Sequence, residues 1–506
     1  MAQRSDIRIA KNTLIIYIRM AVTIVVGLIS SRLVLQALGA SDVGIYSAVG
    51  SAVMLVSAIT TAMTATTVRF MNIELGKSGG NPGRMFNICH TIHIGGAILL
   101  LLILETIGLW YIHNKLNVPP GKEADAMFVF QVSTLVACLS IANVPFQGLF
   151  TVHERFGTIA IVDILNAFIK LGLVVCLLLF VRKDGLRIYA LMMSVMTLVS
   201  FIVYHLLCRR RWPEMVRWAF VREWKDYRDV LHFNNWNLLH SSAVISRSQG
   251  SNMLINAFFG TTVNAAFYYA ATLQNYVSQF ISNFDTASAP QIAQSVGSGE
   301  IPQATALARR TGRICLLLFL LLFFPLWCEM DFIVGLWLGK NVPAETFLMC
   351  RWTLVVAAVS ATSAGLVQLI NALGRIKWYK IEVSVLFFGC LLAGWLLFRA
   401  GFPAYTIIVS FVVADILNRL IQFILLRFQF RFDVAGYFKE AYLRPFMVFV
   451  LMGAYLLIYP HFGFDGIWLR ILGVVLTLLL SLVAVYFIGL TPSERSSLKR
   501  FVFRRG

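Results

Sequence analysis

Two stretches decide the fold of this chain: LVLQALGASDVGIYSA at residues 33–48 and MLINAFFGTTVNAAFYYA at residues 253–270. Each is an apolar run that ends at a glycine, Gly39 or Gly260, followed by a short polar link and a tyrosine that opens the next apolar run. Because position, spacing and polarity agree, they predict a duplicated helix pair, with one copy at the start of each half of the chain.

The composition around these stretches excludes a set of soluble domains. Of 506 residues, 58% are apolar and only 13% are charged. A bilayer-spanning helix needs about 20 mostly apolar residues, so the chain has room for roughly fourteen spans and little else. The first apolar run is too long for a cleaved signal peptide and is predicted to be span one.

The distribution of positive charge predicts the orientation. If the N-terminus is cytoplasmic, 28 of the 43 Lys and Arg residues fall in cytoplasmic segments and 8 in outer loops. This asymmetry favours fourteen spans with both termini in the cytoplasm. The net charge of +19 then fits loops that face anionic lipid, and it does not imply nucleic acid as a partner.

The predicted fold class is an all-α polytopic membrane protein. Residues 1–208 form a first lobe of six spans, 232–427 a second lobe of six, and 428–506 the last two spans and a cytoplasmic tail. The segment 209–231 is a cytoplasmic linker, predicted to be an interfacial helix because it mixes Arg with Trp and Phe. The lobes are predicted to be parallel repeats, a design in which transporters bind substrate between the halves.

Polar residues recur at helical spacing in four of the spans, and such faces cannot point at lipid. One interpretation is that they hydrogen-bond between packed helices. The other is that they line a hydrated cavity, and the mid-span cations favour a cavity for an anionic substrate. The faces are Asn12, Arg19, Thr23 and Ser30 in span one; Asp163, Asn166 and Lys170 in span five; His240, Arg247 and Ser251 in span seven; and Tyr268, Asn275 and Gln279 in span eight.

Acidic residues within the spans are candidates for coupling to Na⁺ or H⁺. Asp163 has a structural alternative, an ion pair with Arg19 or Lys170. Asp415 has one too, because Arg419 lies four residues further along the helix. The carboxylates without an obvious local partner are Asp285, Glu105 and Glu382. The eight cysteines form no metal-binding pattern and are expected to be free thiols, so no metal site, cofactor or catalytic residue is predicted.

Several segments resemble one family. KNTLIIYIRM (11–20), SRLVLQALGASDVGIYSAVG (31–50) and TTVRFMNIELGK (66–77) are similar to the polysaccharide-export branch (O-antigen flippases, Wzx-type) of the multidrug/oligosaccharidyl-lipid/polysaccharide exporter superfamily. SRSQGSNMLINAFFGTTVNAAFYYA (246–270) and ASAPQIAQ (287–294) resemble the seventh and eighth spans of that family.

The resemblance implies a flippase in the bacterial inner membrane with a V-shaped, MATE-like pair of lobes. Its substrate would be an undecaprenyl-diphosphate-linked oligosaccharide, an O-antigen or capsule repeat unit, moved to the periplasmic leaflet by alternating access. Arg19 and Arg247 match the cavity arginines of related lipid II flippases, and Lys170 and Arg32 are weaker candidates for the diphosphate. The last two spans would hold the lipid tail, while a polysaccharide polymerase and chain-length machinery are candidate partners.

Three other functions were weighed. A cation-coupled drug antiporter of the same superfamily usually has twelve spans and needs acidic cavity walls for cationic drugs. A membrane polysaccharide polymerase or glycosyltransferase needs a large outer loop or a nucleotide-sugar domain, neither of which the sequence contains. A channel is disfavoured by the duplication. The substrate's sugars and the energy source (Na⁺, H⁺ or the membrane potential) stay open.

Overall fold

A computed structural model of the chain describes residues 2–56, 63, 66–68, 70–71, 74–75, 80–153, 155–181, 183–339, 342–374, 377–430, 432–463 and 466–496. Over these residues the chain is helical, with short connections and no β-strand. Helices satisfy their own backbone hydrogen bonds, as an apolar bilayer requires.

The helices follow one another closely along the chain. They are α1 (Ala2–Val56), α2 (Pro82–Ile103), α3 (Leu109–Asn114), α4 (Glu123–Val152), α5 (Phe156–Phe180), α6 (Gly185–Arg211), α7 (Pro213–Val216), α8 (Trp224–Ile245), α9 (Ser251–Gly297), α10 (Ile301–Cys328), α11 (Met330–Leu338), α12 (Glu345–Ala361), α13 (Leu366–Leu373), α14 (Lys377–Arg399), α15 (Thr406–Phe430), α16 (Val434–Tyr437), α17 (Leu443–Ile458) and α18 (Ile467–Ala484). The described residues also include four one-turn π-helical segments. Three of them join neighbouring helices, at Leu104–Gly108, Ser246–Gly250 and Phe438–Tyr442, and the fourth, Val485–Gly489, extends α18.

The described residues contain ten helical segments that are long and apolar enough to cross a membrane, and the bent pair α12 and α13 makes an eleventh. The polytopic all-α fold is therefore confirmed. The three predicted spans outside this number are spans two, seven and eight. Span two lies partly outside the described residues, whereas α8 and α9, at spans seven and eight, are helical but carry many polar side chains.

The two duplicated stretches have the same backbone geometry. The long helix α1 is broken at Gly39, with φ 75° and ψ 167°. The long helix α9 is broken at Gly260, with φ 78° and ψ −171°. Both conformations belong to the region that favours glycine, which explains why each apolar run ends at this residue type. The sequence alignment of Gly39 with Gly260 is thus matched by the local structure.

The chain divides into two compact units. Unit 1 contains Met1–Tyr268 and Trp337–Pro343, and unit 2 contains Tyr269–Leu336 and Ala344–Gly506. The boundary between Tyr268 and Tyr269 falls within α9. The predicted lobes of residues 1–208 and 232–427 remain a prediction about how the spans are grouped.

The interfacial helix predicted for residues 209–231 was wrong. Only α7 and the ends of α6 and α8 are helical there, and residues 217–223 are not. The buried side chain of Asn87 explains this, because its amide donates to the carbonyl of Arg217 (3.1 Å) and accepts from the backbone N–H of Ala219 (3.0 Å). These bonds replace the intrahelical bonds that the segment would otherwise make.

The two broken helices of unit 1 meet closely. The hydroxyls of Ser41 and Thr261 lie 3.2 Å apart, and Asn252 donates to the hydroxyl of Ser47 at 2.8 Å. A Cβ atom added to Gly44 would lie 1.9 Å from the carbonyl oxygen of Thr261. Gly44 is therefore required for the close approach of these two backbones.

Further polar contacts of unit 1 surround the contact between Gly44 and Thr261, which is called the corner here. Asn117 and Asn256 exchange two hydrogen bonds of 3.0 Å, one in each direction. Lys122, in the loop before α4, donates to Asp42 at 2.9 Å. That hydrogen bond raises the pKa of the Lys122 ammonium group above its ordinary value. The corner is thus fixed by packing and by polar contacts together.

We predict that Gly44→Ala destabilises the protein, whereas Gly50→Ala does not. The new methyl group at residue 44 forces the Thr261 backbone away, and overpacking of this kind costs about 1–3 kcal/mol. Gly50 lies in the same helix with open space around it, so alanine there should be neutral or slightly stabilising. The check is the melting temperature of the detergent-solubilised variants. Equal melting temperatures for the two variants would contradict the close approach at Gly44.

Candidate substrate site

The centre of the candidate site is an ion pair between the first and fifth predicted spans. A guanidinium nitrogen of Arg19 on α1 donates to a carboxylate oxygen of Asp163 on α5 at 3.0 Å. Both side chains are about one-third exposed, at 32% and 39%. Of the two alternatives for Asp163, the structure selects Arg19. The guanidinium is partly exposed and has further N–H donors besides the one bonded to Asp163.

The polar face of α5 continues from this pair. Asn166 accepts a hydrogen bond from the hydroxyl of Ser200 on α6 at 3.1 Å. Lys170 lies two turns beyond Asp163 on the same face. No carboxylate among the described residues lies within 4 Å of the Lys170 ammonium group, and no hydrogen bond to it occurs there. Together with Arg19 on α1, this face, called the cationic face below, presents two cations and one carboxylate, an excess of positive charge suited to an anion.

The predicted hydroxyl contacts with sugars are less available in this conformation. Thr23 donates to the carbonyl of Arg19 at 2.9 Å, and Ser30 donates to that of Val26 at 2.7 Å. Ser251 donates to the carbonyl of Arg247 at 2.6 Å. Ser30 and Ser251 are fully buried, so neither reaches a ligand here. Their bonds within the helix agree with the packing interpretation of these polar faces.

Arg247 lies in an irregular segment that the sequence did not reveal. Residues Ser246–Gly250 form a single π-helical turn between α8 and α9, and segments of this kind often occur at functional sites. Arg247 and His240 are both half-buried and both interact with other parts of the protein. Their role toward a substrate stays a prediction.

Arg32 lies beside a segment that returns to unit 1 from further along the chain. The indole N–H of Trp337 donates to the carbonyl of Leu28 and to the hydroxyl of Ser31, both at 3.0 Å. Gly339 follows and lies next to the Arg32 guanidinium. Arg32 therefore borders the Trp337–Pro343 segment of unit 1, and its role as a diphosphate ligand stays a prediction.

The remaining candidates do not lie together in one unit. Tyr268 is half-buried at the end of unit 1, whereas Asn275 and Gln279 are exposed in unit 2. The side chain of Asn12 falls outside the described part of the chain. The predicted face of span eight is therefore divided between the two units.

The acidic candidates in unit 2 lie in polar surroundings. One oxygen of Asp285 accepts from the backbone N–H of Gly365 at 2.7 Å, and the other accepts from the amide of Gln368 at 3.0 Å. Asp285 thereby caps the N-terminus of α13, a structural role that uses both oxygens. Asp415 is buried. No group of three or more potential metal ligands occurs in the described chain.

The predicted ion pair between Asp415 and Arg419 does not form. The Arg419 guanidinium instead donates to the hydroxyl of Thr362 at 3.0 Å and to the amide oxygen of Gln422. Helical spacing brought the two residues to the same face, but Thr362 lies on the α12–α13 connection and was not identifiable as a partner from local spacing. Glu382, which the sequence indicated as lacking a partner, lacks one within the described residues.

The eight cysteines are free thiols, as predicted. Five of them are buried, and Cys176 is exposed.

The fold is that of transporters of the multidrug/oligosaccharidyl-lipid/polysaccharide exporter superfamily. A structure titled "Lipid II flippase MurJ, inward closed conformation" superposes with a TM-score of 0.69 at 11% identity, covering 96% of this chain and 99% of that chain. An outward-facing multidrug resistance MATE family transporter has a TM-score of 0.60 at 12% identity, covering 83% of this chain and 95% of its own. The MATE multidrug transporter DinF-BH has a TM-score of 0.61 at 14% identity, covering 84% of this chain and 95% of its own.

Residues 9–296 match the family model described as "Polysaccharide biosynthesis protein". Because this match covers more than half of the chain, the protein belongs to that family, and its fold is that of multi-pass membrane transporters. No curated protein matches the chain significantly.

We predict that the Arg19–Asp163 pair contributes little to stability. Both side chains are partly exposed, so their coupling in a double-mutant cycle of Arg19→Gln and Asp163→Asn should be about 0.2–1 kcal/mol. The check is chemical unfolding of the four proteins in detergent. A coupling several times larger would indicate that the pair is mainly structural and would contradict its assignment to a substrate site.

Proposed function

We propose that this protein is a flippase for an undecaprenyl-diphosphate-linked oligosaccharide, an O-antigen or capsule repeat unit. In this proposal it acts in the bacterial inner membrane with both termini in the cytoplasm. It moves the lipid-linked sugar to the periplasmic leaflet by alternating access, where a polysaccharide polymerase and chain-length machinery would use it. The family supports the polysaccharide pathway, and the site supports the class of substrate.

The observation that carries the proposal is the cationic face in unit 1. Arg19 is held by Asp163 with part of its guanidinium exposed, and Lys170 lies on the same face without a carboxylate within 4 Å in the described chain. A diphosphate brings about two negative charges, and guanidinium groups form bidentate, charge-assisted bonds to phosphate oxygens. The face thus offers what the head of such a lipid requires and what a cationic drug would avoid.

The extent of the structural match supports a flippase over the runner-up. The lipid II flippase structure covers 96% of this chain, whereas the two multidrug transporter structures cover 83% and 84%. The uncovered share, about 81–86 residues, is close to the 79 residues of the predicted C-terminal segment 428–506 that holds the last two spans. Two further apolar helices suit a substrate with a long polyprenyl chain. The alternative, a cation-coupled drug antiporter, has no use for them.

The proposal predicts the effect of removing the cations in cells. In a strain that lacks its own flippase but makes the cognate repeat unit, Arg19→Ala and Lys170→Ala should each reduce surface polysaccharide at least about tenfold. Arg19→Lys should keep part of the activity, since the charge remains while the bidentate geometry is lost. Polysaccharide is measured on gels, and protein levels by immunoblot.

The matched control is Arg399→Ala. This arginine ends a spanning helix of unit 2 and stacks over the ring of Trp395 at 4.7 Å, so it is not one of the residues of the cationic face. It should leave polysaccharide at the wild-type level. Wild-type polysaccharide in the Arg19 and Lys170 variants would remove the basis of the proposal, and resistance to cationic dyes in a drug-sensitive host would favour the antiporter.

A further inference from the structure

Glu382 stands out among the carboxylates of unit 2. It lies near the start of α14, and both of its carboxylate oxygens are buried without a hydrogen-bond donor. No Lys, Arg or His of the described residues comes within 4 Å of it. An ionised carboxylate in such a place is expensive, because neither water nor a paired cation compensates for its lost hydration.

A buried cation on the neighbouring helix is in the complementary situation. Arg419 on α15 is 8% exposed, and its guanidinium donates to the neutral groups of Thr362 and Gln422. Within the described chain no carboxylate lies within 4 Å of it. Tyr379 and Val383, which flank Glu382 on α14, belong to the same buried cluster as Phe423, one turn beyond Arg419 on α15. A carboxylate and a guanidinium therefore lie on two helices that pack together, without forming an ion pair.

The hydroxyl that holds Arg419 belongs to the break between α12 and α13. The two helices meet at 46°, and the turn reaches Gly365 with φ 73°. The turn is held by the hydroxyl of Tyr442, which donates to the carbonyl of Thr362 at 2.7 Å, and by Asp285, which accepts from Gly365. Arg419 is the only cation among the described residues that donates to this turn.

We propose that Glu382 is a proton-binding site that controls the α12–α13 break through Arg419. With a proton on Glu382, the carboxyl group is neutral and Arg419 stays on Thr362, as in this structure. When Glu382 releases its proton to water, the carboxylate attracts the Arg419 guanidinium, which leaves Thr362 and loosens the turn. The site itself needs no substrate, but its use in coupling transport to protons rests on the proposed function.

The other groups around Glu382 are consistent with this assignment. On its own helix, Tyr379 lies one turn before Glu382, and the Lys380 ammonium group lies over the Tyr379 ring at 5.6 Å. From α15, Asp415 shares a helix with Arg419. Two of the carboxylates predicted as coupling candidates already have partners. Asp285 in unit 2 accepts from two donors, and Asp163 in unit 1 is paired with Arg19. Among the carboxylates of the described residues, Glu382 is the one whose oxygens are buried without a hydrogen-bond donor.

Hydrogen–deuterium exchange of the purified protein in lipid nanodiscs tests the switch without any substrate. We expect the protection factors of the amides at residues 362–368 to fall roughly tenfold between about pH 5.5 and about pH 9, after correction for the intrinsic exchange rate. In Glu382→Gln, which mimics the protonated acid, protection should stay at the low-pH wild-type level throughout. Equal pH dependence in Glu382→Gln and wild type would overturn the proposal.

Two further variants complete the test. Thr362→Val removes the hydroxyl that holds Arg419, so its turn should be weakly protected at both pH values. If Glu382→Gln fails to fold, a pH-dependent turn in Thr362→Val would still contradict the proposal. Glu300→Gln is the matched control, because Glu300 is an exposed carboxylate of unit 2 just before α10 and is not a candidate for coupling. It should behave as the wild type does.

The cellular assay separates this inference from the proposed function. If the switch exists and the protein is a flippase, Glu382→Gln lowers surface polysaccharide while Glu300→Gln does not. If the turn is pH-dependent but the protein restores no polysaccharide, the proton-site proposal is supported and the flippase proposal is contradicted. If Glu382→Gln gives normal polysaccharide and the wild-type turn does not depend on pH, the proton-site proposal is contradicted and the flippase proposal is not.

Discussion

The cost of placing charge in an apolar environment determines where the informative residues of this protein lie. Backbone groups in a bilayer must be satisfied internally, which makes the chain helical, apart from short connections, over its described residues. Side-chain charge cannot be satisfied in that way and needs a partner or a ligand. Arg19 meets this requirement with Asp163, while Lys170 and Glu382 do not meet it within the described chain. Lys170 supports the flippase proposal, and Glu382 supports the proposal of a proton-binding site.

Glycine supplies a second, geometric constraint. The breaks at Gly39 and Gly260 have nearly the same backbone angles, so the first helix pair of each half turns in the same way. Gly44 then permits the contact with the Thr261 backbone that a side chain would prevent. A third break, at Gly365, ends in a turn held by Asp285, Tyr442 and Arg419. The long helices are thus interrupted where backbones approach closely or where polar groups converge.

Much of this was predictable from the sequence, because it depends on local patterns. Apolar length predicted the spans, and the repeated apolar run with its glycine predicted both helix breaks. Helical spacing placed Asp163, Asn166 and Lys170 on one face, but it could not choose between Arg19 and Lys170 as the partner of Asp163. That choice depends on how α1 packs on α5.

The errors have the same origin. Spacing suggested that Arg419 pairs with Asp415, but Thr362, 57 residues away in sequence, is its partner. The aromatic and basic residues of 209–231 suggested a helix, but Asn87 binds the backbone of that segment. The π-helical turn at Arg247 had no recognisable pattern in the sequence. Contacts between distant segments decided each of these points.

The central claim is that this chain alone moves a diphosphate-linked sugar across a membrane. The most direct test reconstitutes the purified protein in vesicles that contain a fluorescent undecaprenyl-diphosphate-linked oligosaccharide and measures how fast the inner-leaflet sugar becomes accessible to an added glycosidase. The account predicts rapid exposure with the wild type and slow exposure with Arg19→Ala at equal protein density. Exposure at the protein-free rate with the wild type, or equal rates for both proteins, would contradict it.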